Sequence, residues 1–305
     1  MCFLSPTAWI TFLATSQPIG LVFSNHQQSR RLSSCQSMAK PSDGDMQVAK
    51  SKRVVFLRHG RTYMNDFIGG VHFGAPNFSD IFPETPENKS KYIDSPLTPE
   101  GIKQAQNLKS VLQRTRKLKD YGANKMEERL FGSLLDEIDL VVVSPLTRAL
   151  ETMDIGLYPL IKARNIPIVA NPLASERLYL VSDVGQARKE LKKMYEYVDF
   201  DSCISDDDRP WHFQPTEDLK KTYVEWRPSG HGQVYACLGE PQDHFDRRMT
   251  ELFLFLEERP ERTIVLVCHA GVIDWFLHET FENCELGIVD FDRLTHNPRI
   301  QRWKR

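Results

Sequence analysis

The 305-residue sequence lacks several features that would assign it to a common class of protein. No run of about 18 or more uncharged apolar residues is present, so the sequence predicts no transmembrane helix. Its six cysteines include no C-x-x-C pair, which argues against a disulfide framework and a structural zinc site. The formal net charge of −2 lacks the basic excess of a protein that binds nucleic acid mainly by electrostatics. We therefore expect a protein of one or two domains with reduced thiols and with no membrane, nucleic-acid or metal partner.

Acidic residues are absent from the first 42 positions, where serine is frequent and two arginines are adjacent. Such a composition is typical of an organelle transit peptide. The apolar tract Trp9–Phe23 could instead be a signal-peptide core, although no basic residue precedes it; a disordered tail, or initiation at Met38 or Met46, are the other interpretations. We expect residues 1–45 to be a leader outside the fold. The compartment stays open between the cytoplasm and an organelle such as a plastid or mitochondrion.

Short apolar runs alternate with helical patterns over the rest of the chain. The predicted strands are Arg53–Leu57, Ile138–Val143, Ile166–Ala170, Thr263–Val267 and an edge strand at Leu286–Asp290. The predicted helices are Pro99–Leu118 with Thr98 as N-cap, Leu146–Arg164, Gly185–Tyr197, one that begins at Pro241, and Val272–Thr280. This alternation predicts an α/β fold, a three-layer sandwich with a mostly parallel central sheet and helices on both faces.

Two segments, Asp66–Leu97 and Asp199–Glu240, are predicted to be irregular and are much longer than ordinary connections. Segments of this length are typically functional or mobile. Their aromatic residues favour an apolar or stacking wall, and packing in a small separate core explains them equally well.

Basic and histidine side chains follow three of the predicted strands. Arg58 and His59 end the first strand, Arg148 follows the second, and His269 follows the fourth. If these strands are parallel, two histidines and two arginines meet at the sheet edge where ligands bind in such folds. An imidazole can attack phosphorus and a guanidinium can hold phosphate oxygens with two hydrogen bonds, while Gly60 lets the backbone approach an anion closely. The pattern predicts a site for chemistry on a phosphoryl group.

Five motifs occur in a fixed order along residues 53–280. They are R-H-G-x-T-x-x-N from Arg58, S-P-L-T-P-E-G-x-x-Q-A from Ser95, S-P-L-x-R-A-x-E-T from Ser144, a glutamate at Glu176, and C-H-A-G from Cys268. Together they resemble the histidine phosphatase superfamily, also called the phosphoglycerate mutase-like family. The resemblance implies a phosphoglycerate mutase-like domain over residues 46–305. It also places the two insertions, at about 66–97 and 199–240, where the family builds its substrate lid.

The resemblance assigns roles to individual residues. His59 would be the nucleophile that becomes phosphohistidine. The residues that would bind the phosphate are Arg58, Thr62, Asn65, Arg148 and His269. An attacking imidazole must be neutral on one nitrogen, so a backbone acceptor should hold its other N–H group. The substrate would be a small phosphorylated molecule, and the family's chemistry implies no metal or other cofactor. The sequence assigns no oligomeric state.

The sequence offers two candidates for the proton donor. The resemblance gives this role to Glu176, and Asp183 is a rival acid; either could be a cap or loop carboxylate. Arg148 could equally form a surface ion pair with Glu151. Thr62 and Asn65 could cap a turn, and the Asp206–Asp208 run is typical of a solvated loop.

Two departures from the family pattern bear on the reaction. Arg61 stands where the family often has glutamate, and could favour an acidic substrate or face solvent. The mutase pattern that follows the R-H-G motif is missing, so a phosphatase is favoured over a phosphoglycerate mutase. A non-catalytic phosphate-binding or partner-binding protein is the third hypothesis. Cys268 beside His269 is interpreted as a small buried apolar residue and not as a nucleophile.

Overall fold

The computed structural model describes residues 11–12, 51–70, 78–83, 90–120, 133–205, 210–214, 222–228 and 233–300. Within these residues, no helix combines the length and the apolar character needed to cross a membrane.

A six-stranded sheet forms the centre of the fold. Its strands are β1 (Thr11–Phe12), β2 (Arg53–Arg58), β3 (Leu140–Val143), β4 (Ile168–Ala170), β7 (Thr263–Cys268) and β8 (Leu286–Asp290), in the order β1-β8-β2-β7-β3-β4. The four strands β2, β7, β3 and β4 run parallel, whereas β8 is antiparallel to both β1 and β2. Two further strands, β5 (Tyr223–Trp226) and β6 (Tyr235–Leu238), form a separate antiparallel pair.

Alternate residues of the central strands enter two different hydrophobic cores. In β2, Val55 and Leu57 belong to one core, and Val54 and Phe56 belong to the other. The same alternation runs through β3 and β7. A strand whose residues are buried on both sides must be covered on both sides, and this is why these strands appear in the sequence as continuous apolar runs.

Helices cover both faces. They are α1 (Tyr63–Gly70), α2 (Pro99–Asp120), α3 (Thr147–Gly156), α4 (Tyr158–Ile161), α5 (Arg188–Met194), α6 (Gln242–Glu258), α7 (Ala270–Leu277) and α8 (Phe291–Leu294). Residues of α2, α3 and α5 pack on one face of the sheet, and residues of α6 and α7 pack on the other. The predicted three-layer α/β fold with a mostly parallel sheet is confirmed.

Helix boundaries differ from the prediction where proline intervenes. The single helix predicted over Leu146–Arg164 is interrupted, because α3 ends at Gly156 and a short α4 with Pro159 in its first turn follows. Proline has no N–H group to continue the hydrogen-bond ladder of the preceding turn, so a new helix begins there. The predicted N-cap is present, since the Thr98 hydroxyl accepts a hydrogen bond from the Gly101 N–H at 3.1 Å.

The two predicted irregular segments contain regular structure, and in this respect the prediction was wrong. Helix α1 extends into the first segment, and the second segment contains the β5–β6 pair. Side chains of both segments pack in one small core, which includes Phe78, Phe82, Trp226 and Tyr235. The rings of Phe78 and Tyr235 lie 4.7 Å apart. Aromatic residues from the two insertions therefore pack against each other in a small core separate from the two main ones. The Asp206–Asp208 run lies outside the described residues.

The structure describes two residues of the predicted N-terminal leader. Thr11–Phe12 pairs with Leu286–Gly287 of β8, so these two residues join the sheet instead of lying outside it. This pairing also covers the outer side of β8, which was predicted to be an edge strand. The targeting role of residues 1–45 stays a prediction.

Candidate active site

Three parallel strands deliver the site residues to one edge of the sheet. Arg58 pairs in register with Cys268, and Val143 pairs in register with Val267. The backbone continues this register past the strands, because the His59 N–H donates to the Cys268 carbonyl at 3.1 Å. The residues that follow these strands are therefore neighbours, as the sequence predicted.

His59 is held in one tautomer by its own turn. The side chain is buried, and its Nδ1 atom lies 2.7 Å from the carbonyl oxygen of Gly60. A carbonyl can only accept, so Nδ1 carries the proton and Nε2 carries the free lone pair. Burial, followed by the positive charges of Arg148 and Arg58, holds the pKa of His59 well below its ordinary value of 6.5. The backbone acceptor expected for a nucleophilic imidazole is present.

The turn that carries His59 is fixed by three other elements. The Gly60 N–H donates to the Thr152 hydroxyl of α3 at 2.9 Å, and Asn283 donates to the His59 carbonyl at 3.0 Å. A Cβ atom at Gly60 would lie 2.9 Å from the Gly101 carbonyl oxygen at the start of α2. Glycine is needed here for close approach to the helix, and an added side chain would displace the turn.

His269 lies beside His59, with the two ring centroids 5.1 Å apart. Its Nε2 atom lies 2.7 Å from the hydroxyl oxygen of Ser144, the first residue after β3. Burial and the nearby positive charge of Arg148 hold the pKa of His269 well below 6.5. Within this site, Nδ1 of His269 and Nε of Arg58 are buried nitrogen atoms with no hydrogen-bond partner among the described residues. Buried polar atoms are rarely left unpaired, so this pair suits the oxygen atoms of a bound anion.

The two arginines are anchored by their other nitrogen atoms. Arg58 donates through Nη1 to the carbonyl of Phe281, and burial lowers its pKa. Arg148 is buried and donates through Nη2 to Asp183 Oδ1 at 2.8 Å and through Nη1 to the Ser182 carbonyl at 2.5 Å. The surface ion pair considered for Arg148 and Glu151 is therefore wrong; Glu151 accepts instead from the Leu97 N–H at 2.7 Å.

The two candidate acids have different environments. Asp183 binds Arg148 through one oxygen, and its other oxygen accepts from the N–H groups of Tyr179 and Leu180 at 3.2 and 3.1 Å. Both oxygen atoms are therefore occupied by contacts within the fold, and this describes a structural carboxylate. Asp183 thus orients Arg148.

Glu176 has the environment of a proton donor. Its two oxygen atoms accept from the backbone N–H groups of Gly271 and Arg177, each at 3.0 Å. Burial, together with the negative charge of Asp183, nevertheless raises its pKa above 4.5, against the effect of these hydrogen bonds and of Arg148. Glu176 is also close enough to Arg58 for its charge to oppose the lowering of the Arg58 pKa that burial causes. The structure therefore places Glu176 within electrostatic reach of both arginines, whereas Asp183 pairs directly with Arg148.

Thr62 and Asn65 contact each other at the beginning of α1. The Asn65 N–H donates to the Thr62 hydroxyl at 3.0 Å, and the Thr62 N–H donates to the Asn65 Oδ1 at 3.1 Å. This reciprocal pattern is a capping box with asparagine in the third helical position. Capping was the alternative interpretation of this pair, and their role as phosphate ligands stays a prediction.

Cys268 is a buried apolar residue and Arg61 faces solvent, as two of the sequence-based interpretations expected. Cys268 is fully buried at the end of β7, and burial raises its thiol pKa, so it carries no reactive thiolate. The Arg61 side chain is exposed and forms an ion pair with Asp66.

Two supporting residues were missed from the sequence. Asp94 is buried, and its oxygen atoms accept from the Thr147 N–H at 2.9 Å and the Thr147 hydroxyl at 2.6 Å, so it caps the helix that carries Arg148. Arg248 of α6 donates to the carbonyls of Leu173 and Ser175, immediately before Glu176. The available signals were an aspartate before the S-P-L-T motif and an arginine within the apolar spacing of a helix.

Part of the chain resembles a curated protein. The chain is 29% identical over 155 residues to a protein of Schizosaccharomyces pombe named "Probable phosphatase". The match spans about half of each protein, 51% of this chain and 55% of the yeast protein. With the five motifs, and with the residues they contribute assembled at one sheet edge, the comparison agrees with the sequence analysis. The chain is thus similar to a protein named as a phosphatase, which is the reaction class that the sequence analysis favoured.

Solved structures that resemble the chain include two phosphatases. A mycobacterial glucosyl-3-phosphoglycerate phosphatase is 18% identical, with a TM-score of 0.39, over 80% of this chain and 95% of that one. The ecdysone phosphate phosphatase of Bombyx mori is 17% identical, with a TM-score of 0.40, over 78% of this chain and 88% of that one. No model of a protein family matches the chain.

Proposed function

We propose that this chain is a phosphatase that hydrolyses a small phosphate monoester through a phosphohistidine intermediate on His59. The observation that carries the proposal is the state of His59: a buried, neutral imidazole whose Nδ1 proton is fixed on the Gly60 carbonyl, leaving Nε2 as the nucleophile. The relative of S. pombe named as a phosphatase supports the same reaction class.

In the first half of the reaction, the phosphoryl group is transferred to the enzyme. Arg58, Arg148 and His269 bind the non-bridging oxygens, which places positive charge where phosphoryl transfer needs it. His59 Nε2 attacks phosphorus while the bond to the leaving oxygen breaks. Glu176, whose raised pKa favours the protonated form, gives its proton to that oxygen.

In the second half, water removes the phosphoryl group. The Glu176 carboxylate takes a proton from the attacking water, whose oxygen bonds to phosphorus as the bond to His59 Nε2 breaks. Inorganic phosphate leaves, and both His59 and Glu176 return to their starting protonation states. The arginines remain charged throughout, so the residues themselves supply the charge that stabilises the transition state.

A phosphate-ester screen with purified full-length chain tests the proposal. The wild type should release inorganic phosphate from at least one ester, and His59→Ala should abolish release, whereas exposed His296→Ala should leave it unchanged. Interconversion of 2- and 3-phosphoglycerate without net hydrolysis would instead identify a mutase. Absence of turnover across the panel, or normal turnover by His59→Ala, would contradict the proposed function.

A further inference from the structure

Arg248 and Glu240 form a buried ion pair next to the segment that carries Glu176. The guanidinium donates through Nε to Glu240 Oε1 at 2.8 Å and through Nη2 to Glu240 Oε2 at 2.6 Å. The side chains of Arg248 and Glu240 are 12% and 1% exposed. Two parallel hydrogen bonds of this kind fix the plane of the guanidinium as well as its position.

The remaining nitrogen atoms of Arg248 hold the backbone on which Glu176 lies. Nη1 donates to the carbonyls of Leu173 and Ser175, both at 2.8 Å, and Nη2 reaches the carbonyl of Glu176 at 3.3 Å. One side chain thus binds three carbonyls within four residues, and the last of them belongs to the candidate acid itself.

Glu240 holds the same segment from its other side. Its carbonyl accepts from Arg177 Nε at 2.7 Å, and its N–H donates to the Leu178 carbonyl at 2.9 Å. Residues 173–178 are therefore tied to Arg248 before Glu176 and to the Glu240 backbone after it. A shift of either partner would move the short segment between them.

The carboxyl group of Glu176 has little tolerance for such a shift. Its contacts with the N–H groups of Gly271 and Arg177 depend on both backbones being in place. A catalytic acid must reach the leaving oxygen within hydrogen-bond distance, and small displacements of a reacting group reduce rates strongly.

We propose that Arg248 and Glu240 are a positioning pair that fixes residues 173–178 and thereby places the Glu176 carboxyl for proton transfer to the leaving group. The inference rests on the proposed function and adds to it two residues that do not touch the substrate. An ordinary buried ion pair stabilises the fold, and its loss would lower stability without changing how the rate depends on the leaving group. Loss of a positioning pair should change that dependence.

The test compares aryl phosphates with good and poor leaving groups, because only a poor leaving group needs the acid. Arg248→Lys keeps the charge but cannot form the two-pronged contact and reach three carbonyls together. We expect Arg248→Lys to lower kcat for phenyl phosphate about tenfold more than it lowers kcat for p-nitrophenyl phosphate, with KM little changed. Glu176→Gln should change the ratio of the two kcat values in the same direction and by a larger factor. Glu240→Gln, which keeps the size of the side chain, should act in the same direction and serves as the second variant if Arg248→Lys does not fold.

Arg247→Lys is the matched control. Arg247 is the adjacent residue on α6, but its side chain is half exposed and pairs with Asp243 of the same helix at 3.3 Å. It should leave the ratio of the two kcat values at the wild-type level. If Glu176→Gln changes this ratio but neither Arg248→Lys nor Glu240→Gln does, the positioning pair is refuted while the proposed function stands. If wild-type chain hydrolyses neither ester nor any other in the screen, the proposed function itself fails.

Discussion

The carboxyl group of Glu176 lies directly on Gly271. Its Oε2 accepts from the Gly271 N–H at 3.0 Å, and a Cβ atom at residue 271 would lie 2.3 Å from its Oε1. Only glycine at this first turn of α7 allows the acid to occupy this position. The contact joins the strand end that carries His269 to the segment that carries the proposed proton donor.

Substitution of this glycine should reduce catalysis without unfolding the protein. In Gly271→Ala, the added methyl group displaces the Glu176 carboxyl, and we expect kcat for a poor leaving group to fall by about tenfold to a hundredfold with a small change in KM. Steady-state kinetics measure this. Gly69→Ala is the control, because no atom lies within 4 Å of a Cβ atom there and wild-type kinetics are expected. Unchanged kcat in Gly271→Ala would refute the assigned position of the acid.

The pH dependence of kcat/KM should favour acidic conditions. His59 must be neutral, and its pKa is lowered, so the nucleophile is lost only as pH falls well below 6.5. Glu176 must be protonated for the first step, and its pKa is raised, so the acid is retained above pH 4.5 and lost as pH rises further. The profile should therefore be bell-shaped with its maximum between these limbs.

The pH profiles of the wild type and of Glu176→Gln together show which group causes the alkaline limb. The substrate's own phosphate ionises near pH 6, but this contribution is common to all variants. Glu176→Gln should lower the maximum and remove the part of the alkaline limb that the substrate does not explain. An identical alkaline limb in both proteins would assign it to another group.

Substitutions of Asp183 and Glu176 should have different effects on stability and on activity. Asp183→Ala leaves Arg148 buried without its partner, and breaking a buried pair in this way costs about 3–5 kcal/mol in the free energy of unfolding. Urea denaturation measures the loss. Glu190→Ala removes an exposed ion pair with Lys193 and should cost about 1 kcal/mol or less. Glu176→Gln should unfold like the wild type yet lose activity; the reverse pattern would make Asp183 the acid.

Ser144 should affect phosphate binding because it orients the ring of His269. Ser144→Ala removes the hydroxyl that lies 2.7 Å from His269 Nε2 and leaves a buried nitrogen unpaired, which costs about 1–3 kcal/mol of stability. Because the ring also loses its orienting partner, KM for the phosphate ester should rise. Inhibition by inorganic phosphate, a direct measure of anion affinity, should weaken in parallel. An unchanged phosphate affinity would mean that His269 does not bind the anion through this orientation.

The sequence predicted the site where chain order alone determines position. His59, Arg148 and His269 follow parallel strands, and parallel strands end at one edge of the sheet, so their convergence needed no knowledge of packing. The alternation of apolar runs and helical patterns was sufficient for the layers of the fold for the same reason.

Features that depend on tertiary contacts were not predictable in this way. The choice between Glu176 and Asp183 depends on which one meets Arg148 and which one meets Gly271, and both lie in irregular backbone. Arg248 is separated by 72 residues from Glu176, whose carbonyl it contacts, and the prediction of a helix beginning at Pro241 does not indicate that contact. Helix α1 was missed because its capping box uses asparagine in place of the usual glutamate or glutamine.

The most direct test of the account is the chemical nature of the enzyme during turnover. Full-length protein should be mixed with a substrate labelled in its phosphoryl group, quenched rapidly in base, and mapped by mass spectrometry. We predict base-stable, acid-labile phosphate on His59, and no such label in His59→Ala. A protein that turns over the same substrate with no covalent phosphate, or with the label on another residue, would contradict the central claim.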